Sequence, residues 1–128
     1  MIIMDILILG SGAREDALYS SLSKDNDVYI YDGNDVIQIC KDKRIDLVVV
    51  GPEKYLVDGI VDELNEHNIM AFGPSKKAAM IEGSKIFSKK FMIDNKIPTP
   101  ELCHSKSSDI VIKCDGLMGG KGVYIPSS

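Results

Sequence analysis

The stretch Met4-Asp5-Ile6-Leu7-Ile8-Leu9-Gly10-Ser11-Gly12-Ala13-Arg14-Glu15-Asp16-Ala17 constrains this chain more than any other. An apolar run meets two glycines and passes directly into a charged, amphipathic segment. A run that is apolar at consecutive positions marks a strand covered on both faces, as in a parallel sheet. Gly10 and Gly12 allow a tight turn and a close approach of the backbone to a ligand. The helix that follows offers unpaired N–H groups and a partial positive charge, a setting that favours anions. Arg14 adds a cation in its first turn. The stretch reads as strand, anion-binding turn and helix, with phosphate the favoured anion. A strand-to-helix turn without a ligand accounts for the same two glycines.

The pattern then repeats. Ala17, Leu18, Ser21 and Leu22 recur at helical spacing. Val28–Tyr31 is a second strand, ending at Asp32-Gly33-Asn34, and a short helix passes through Val36, Ile37, Ile39 and Cys40. Lys41-Asp42-Lys43-Arg44 is its solvated end. Ile45–Val50 is β-branched and nearly all apolar, and it stops at Gly51-Pro52-Glu53. One helix is predicted over 56–68, with Val57, Ile60, Val61 and Leu64 as its buried stripe. Ile69–Phe72 is a fourth strand, followed by Gly73-Pro74-Ser75. Ser75 and Ser84 are N-caps of two further helices, the second carrying Ile86, Phe87, Phe91 and Met92 as its apolar face. The order β-α-β-α-β-α-β implies an α/β fold, a doubly wound parallel sheet. Ligands of such sheets bind beyond the carboxyl ends of the strands. The loops at Gly10, Asp32, Gly51 and Gly73 all start there.

Pro98 and Pro100 oppose helix continuation, which sets a boundary between residues 1–96 and 97–128. Beyond it, 110–113 and 123–125 are short strands flanking a glycine-rich loop, Asp115-Gly116-Leu117-Met118-Gly119-Gly120-Lys121-Gly122. A two-stranded hairpin cannot bury a core alone.

Composition narrows the partners. Fifteen basic residues stand against 19 acidic ones in 128 residues, so no general nucleic-acid-binding face is expected. No run approaches the roughly 18 apolar residues of a membrane helix, and Met1–Leu9 lacks a basic leader region. Three widely spaced cysteines, Cys40, Cys103 and Cys114, suggest a reducing, cytoplasmic setting. His67 and His104 are isolated, and no metal site is expected.

The first loop invites a dinucleotide reading, with Asp32 at the end of the second strand. Its third glycine is replaced by Glu15, an awkward carboxylate beside a pyrophosphate. The second loop is not a phosphate-binding P-loop, because Asp115 and Gly122 stand where Gly and Ser or Thr are needed. Lys113 and Lys121 nevertheless flank a backbone able to fold over phosphates; a solvated surface explains the same lysines. Lys85, Lys89 and Lys90 share one helix. Glu53, at the tip of the third strand, suits a ligand hydroxyl or amine, or a loop cap. No catalytic constellation stands out.

The segments LILGSGARED, IDLVVVGPEKYLVDGIVDEL, FGPSKKAAMIEGSKIFSKKFM, KIPTP and VIKCDGLMGGKGV, in this order, resemble the amino-terminal part of phosphoribosylamine–glycine ligase, also called glycinamide ribonucleotide synthetase, of the ATP-grasp superfamily. The resemblance runs from Met4 to Ile125. It implies a Rossmann-like pre-ATP-grasp domain followed by an incomplete ATP-grasp hairpin. It implies ATP and magnesium as cofactors, and phosphoribosylamine, glycine and ATP as small-molecule partners in purine biosynthesis. Gly10, Ser11, Gly12, Arg14, Glu15, Gly51, Pro52, Glu53, Gly73, Pro74 and Ser75 match substrate-side loops. Lys89, Lys113, Gly119, Gly120, Lys121 and Gly122 match nucleotide contacts.

The chain also departs from the family pattern. Ala13 and Asp16 replace a glycine and a histidine, and the segments between Tyr31 and Ile45 and between Pro100 and Ile110 are short. The family's acidic magnesium ligands and most of its adenine pocket have no counterpart. The expectation is a shortened ligase, with its missing lobe absent or supplied by a separate chain. The alternatives are a non-catalytic ribose-phosphate- or nucleotide-binding module and an inactive remnant.

Overall fold

The computed structural model describes residues 3–31, 33–103 and 110–126. They form two compact units, Met1–Ala79 and Met80–Ser128.

The first unit is built on four parallel strands, β1 (Asp5–Leu9), β2 (Asp27–Ile30), β3 (Leu47–Val50) and β4 (Ala71–Phe72), in the order β2-β1-β3-β4. Side chains alternate across a strand, and the sheet uses both sets. Leu7, Leu9, Val48 and Val50 point to one face, where Cys40, Ile45, Val61 and Leu64 complete a buried cluster. Ile6, Ile8 and Val49 point to the other, under Leu18 and Leu22. Helix α1 (Ala13–Leu22) therefore covers one face. Helices α2 (Val36–Lys43), α3 (Glu53–Asp58) and α4 (Ile60–Glu66) cover the other. This is the doubly wound sheet expected from the sequence.

Two local details differ from the sequence reading. The single helix expected over 56–68 is two helices, broken at Gly59. Its φ of 102° is left-handed, and its N–H closes α3 on the carbonyls of Tyr55 and Leu56, at 3.1 Å each. The apolar period continues across the break, so Leu56 and Val61 still reach one core. In α1, Ala17 and Ser21 are exposed; only Leu18 and Leu22 of the expected stripe are half-buried.

The second unit holds the second half of helix α5 (Lys76–Gly83), helix α6 (Lys85–Asp94) and an antiparallel hairpin of β5 (Ile112–Lys113) and β6 (Val123–Tyr124). The sequence boundary falls after residue 96; by contacts, α6 groups with the hairpin. Ser75 and Ser84 cap as expected. The Ser75 hydroxyl oxygen accepts from the Ala78 N–H at 3.3 Å, and that of Ser84 from the Phe87 N–H at 3.1 Å. The apolar face of α6 stays open, with Ile86 70% and Phe87 40% exposed.

Leu64 is fully buried between α4 and the sheet. Leu64→Ala is expected to lower stability by about 2–5 kcal/mol, the range for an emptied core leucine, read as a shifted midpoint in urea unfolding.

Candidate functional site

In the strand order β2-β1-β3-β4 the chain leaves β1 toward one face and β3 toward the other. The loops after these two neighbouring strands must part, and the crevice between them is where doubly wound sheets bind ligands. Of the four loops on the rim, topology thus selects two. A cleft of about 300 Å³ lies there, lined by Gly12, Ala13, Arg14, Glu15, Pro52 and Glu53.

The walls fit together through missing side chains. Gly10 has φ 109°, and a Cβ on it would sit 2.7 Å from the Pro52 ring. Gly51 faces the carboxyl group of Glu15 so closely that a Cβ there would displace it. Glu15 is 4% exposed, the one buried charged residue among those described. Its Oε2 accepts from the Gly12 N–H at 2.7 Å, closing the first turn of α1. The residue that weakens a dinucleotide reading is therefore an internal strut. It satisfies one helix N-terminal donor and spaces the two loops.

Arg14 carries the accessible charge. Its Nη1 donates to the Gly51 carbonyl at 2.7 Å and lies 3.6 Å from Glu53 Oε2. The ion pair is exposed and contributes at most about 1 kcal/mol; the carbonyl bond is what aims the guanidinium. With five N–H donors on the group, Arg14 keeps capacity for a ligand anion. Glu53 opens α3, where a carboxylate is favoured by the helix dipole, and offers an acceptor for hydroxyl or amine donors.

The other predicted rim residues do not line this cleft. Gly73 packs against helix side chains, since a Cβ on it would sit 2.7 Å from Leu56 Cδ2 and 3.1 Å from Val61 Cγ2. Ser75 is occupied as the α5 cap. Ser11 is exposed beside the cleft, and Asp16 is exposed on α1. Asp32 and His104 lie outside the described residues.

In the second unit, Lys89 donates to Thr99 Oγ1 at 2.6 Å and to the Pro100 carbonyl at 2.7 Å, tying α6 to the proline segment. Lys113 and Lys121 are exposed. Gly119 and Gly120 have φ 57° and 77°, with open space where a Cβ would be. A residue the sequence reading passed over organises this region. Asp115 Oδ1 accepts from the Ile86 N–H at 3.2 Å, and Ser84 Oγ–H lies 3.1 Å from Oδ2. The Ile86 N–H, ahead of the Gly116, Ser84 and Lys85 donors, holds the Asp115 carboxyl below the usual carboxylate range, against a smaller opposing effect of burial. Its partners lie 29 and 31 residues away, so no local spacing signals it. Among the described residues no group of His, Cys, Asp or Glu side chains could hold a metal ion.

The sheet order and switch-point cleft define a doubly wound α/β ligand-binding layer. A crystal structure of D-alanine–D-alanine ligase from Bacillus anthracis complexed with ATP matches 96% of this chain and 50% of its own, with TM-score 0.62 at 19% identity. The family model described as phosphoribosylglycinamide synthetase, N domain, matches residues 27–82. Phosphoribosylamine–glycine ligase of Mesorhizobium japonicum is 40% identical over 155 positions, covering 95% of this chain. The bifunctional purine biosynthetic protein purD of Dictyostelium discoideum is 37% identical over 159 positions, covering 97%. Over nearly its whole length the chain is similar to the amino-terminal part of phosphoribosylamine–glycine ligases. It spans 36% of the length of the first of these relatives and 20% of the second. The alignments run longer than the 128 residues present, so the relatives carry positions this chain lacks, in keeping with the short segments noted in the sequence.

Two outcomes follow from this geometry. Glu15→Ala is expected to cost about 1–3 kcal/mol, because a helix donor loses a buried charged acceptor; Glu15→Gln, which keeps an acceptor, should cost less, both read by thermal unfolding. A carboxyl depressed in the folded state stabilises it above the unfolded pKa, and that contribution is lost as pH falls through the folded value. The Asp115 carboxyl should therefore titrate by NMR below the ordinary value of about 3.9, with Asp115→Asn removing this part of the acid destabilisation.

Proposed function

We propose that this chain is the sugar-phosphate-binding part of an ATP-dependent ligase that joins glycine to 5-phosphoribosylamine. One observation carries the reading: the cleft at the switch point between β1 and β3 places an aimed cation, Arg14, beside a rim carboxylate, Glu53. A phosphorylated amino sugar is complementary to that pair. Its phosphate suits the guanidinium, and its hydroxyl or amine hydrogens suit the carboxylate. Gly10, Ser11, Gly12, Gly51 and Pro52 shape the walls, Glu15 spaces them, and Gly73, Pro74 and Ser75 support the rim from the next strand.

The glycine-rich loop suits the phosphates of ATP. Gly119, Gly120 and Gly122 give a backbone unobstructed by side chains, and Lys113 and Lys121 give charge. Lys89 joins them once it leaves Thr99 and Pro100. ATP supplies the phosphoryl group that activates a carboxylate for amide formation. The described residues do not fit magnesium, which the remaining two thirds of such ligases would have to hold, on the same polypeptide or on a separate chain. A cytoplasmic setting suits the free thiols of Cys40, Cys103 and Cys114. A second reading, a ribose-phosphate-binding module without catalysis, is favoured by the cleft lying wholly within the first compact unit.

Calorimetry with glycinamide ribonucleotide tests the cleft. Arg14→Ala should weaken binding by about 1.5–3 kcal/mol, the value of a charge-assisted hydrogen bond, or roughly 10- to 150-fold. Unchanged affinity would move the ligand off Arg14. Phosphate release from ATP in the presence of glycine and phosphoribosylamine separates the ligase from the binding module.

A further inference from the structure

The glycine-rich loop is held and free in different places. At its neck the Cys114 N–H donates to the Gly122 carbonyl at 2.8 Å, extending the β5–β6 ladder by one bond. A Cβ on Gly122 would meet Cys114 and Met118 at 3.1 Å, so this end is packed. At the other end Asp115 takes the Ile86 N–H and the Ser84 hydroxyl, and Lys85 Nζ donates to the Gly116 carbonyl at 2.7 Å. The Ser84 hydroxyl works in both directions, donating to Asp115 while accepting from Phe87 N–H at 3.1 Å. Between these anchors the loop makes one tight turn, from Lys121 N–H to the Met118 carbonyl at 3.0 Å, with open space around Gly119 and Gly120.

We propose that Asp115 is a positioning residue: its carboxylate bolts the root of the glycine-rich loop to the first turn of α6, leaving the tip, Gly119–Lys121, to close over an anionic ligand. The ligand class is the phosphate chain of a nucleotide, a point that rests on the function proposed above. The physical gain is entropic. Ordering a free backbone residue costs about 1–2 kcal/mol, so a loop already fixed at both ends has only its tip left to order on binding. Lys85 contributes a second tie on the same root, and the two ties fix both the position and the direction of the chain at Gly116.

The test compares Asp115→Ala, Asp115→Asn and Lys85→Met with the unchanged chain. In the unchanged chain, backbone-amide relaxation by NMR should find Gly116 rigid and Gly119 and Gly120 mobile. Asp115→Ala should make Gly116 as mobile as Gly120 and speed tryptic cleavage after Lys121 by ~5-fold or more. Asp115→Asn, whose side-chain oxygen still accepts from Ile86 and Ser84, should recover most of the rigidity. Lys85→Met leaves the cap intact, and should loosen Gly116 even where Asp115→Ala fails to fold. A Gly116 already as mobile as Gly120, or one unmoved by Asp115→Ala and Lys85→Met with α6 still helical, would overturn the proposal. Calorimetry with ATP should show several-fold weaker binding to Asp115→Ala than to the unchanged chain. Absence of ATP binding by the unchanged chain overturns the nucleotide reading, while the motion of Gly116 still decides the role of Asp115.

Discussion

The parallel pairing of β1 with β3 governs the rest of the first unit. In that register Leu9 lies beside Val50, so the two chains leave the sheet together and then part to opposite faces. A crevice follows from the connectivity alone. What closes it to a defined width is a set of contacts that only glycine permits: Pro52 against Gly10, and the Glu15 carboxyl group against Gly51. A buried carboxylate is costly unless satisfied, and Glu15 answers that demand with the Gly12 N–H. The cleft is therefore shaped by the same core that holds the sheet. The exposed Arg14–Glu53 pair is a minor term in stability, and its weight lies in the ligand binding proposed above.

Much of this was legible in the sequence, for a physical reason. Ile6–Leu9 and Leu47–Val50 are covered on both sides, so their apolar runs are continuous and cannot be mistaken for surface strands. Their glycine-led exits then mark the ligand rim. The pairing order was not legible, because it depends on contacts between strands far apart in the chain. That order reduces four candidate loops to two. Gly59 escaped notice because the apolar period runs through it unbroken from Leu56 to Leu64, and a glycine inside a helical pattern is ordinarily tolerated. Glu15 stands in the sequence as a carboxylate awkward beside a pyrophosphate; its burial and its bond to Gly12, which make it a strut in the cleft wall, depend on a fold that local spacing does not show.

The second unit obeys different physics. Its strands are two residues each, and Val111, Ile112, Val123 and Tyr124 are all at least half exposed. Little apolar burial is available to order it, and a hairpin of this size is marginal by itself. Polar ties do the work instead. Asp115 and Lys85 hold the loop root, and Lys89 holds the segment at Thr99 and Pro100. Such ties are local, and several are exposed to solvent and to protonation. The region is correspondingly easier to rearrange than the sheet.

The two anion-friendly features thus differ in how much of their geometry exists before a ligand arrives. The β1 turn is satisfied internally: its helix donor is taken, its width is set, and Arg14 is aimed by a backbone carbonyl. Binding there requires little ordering, which favours selectivity for a ligand of fixed shape. The glycine-rich loop is anchored at its ends and empty at its tip, and must be ordered by whatever it covers. On the function proposed above, a sugar phosphate matches the first and a flexible triphosphate the second. On the proposed function, substrate discrimination then rests with the rigid cleft, and commitment to reaction rests with closure of the loose loop.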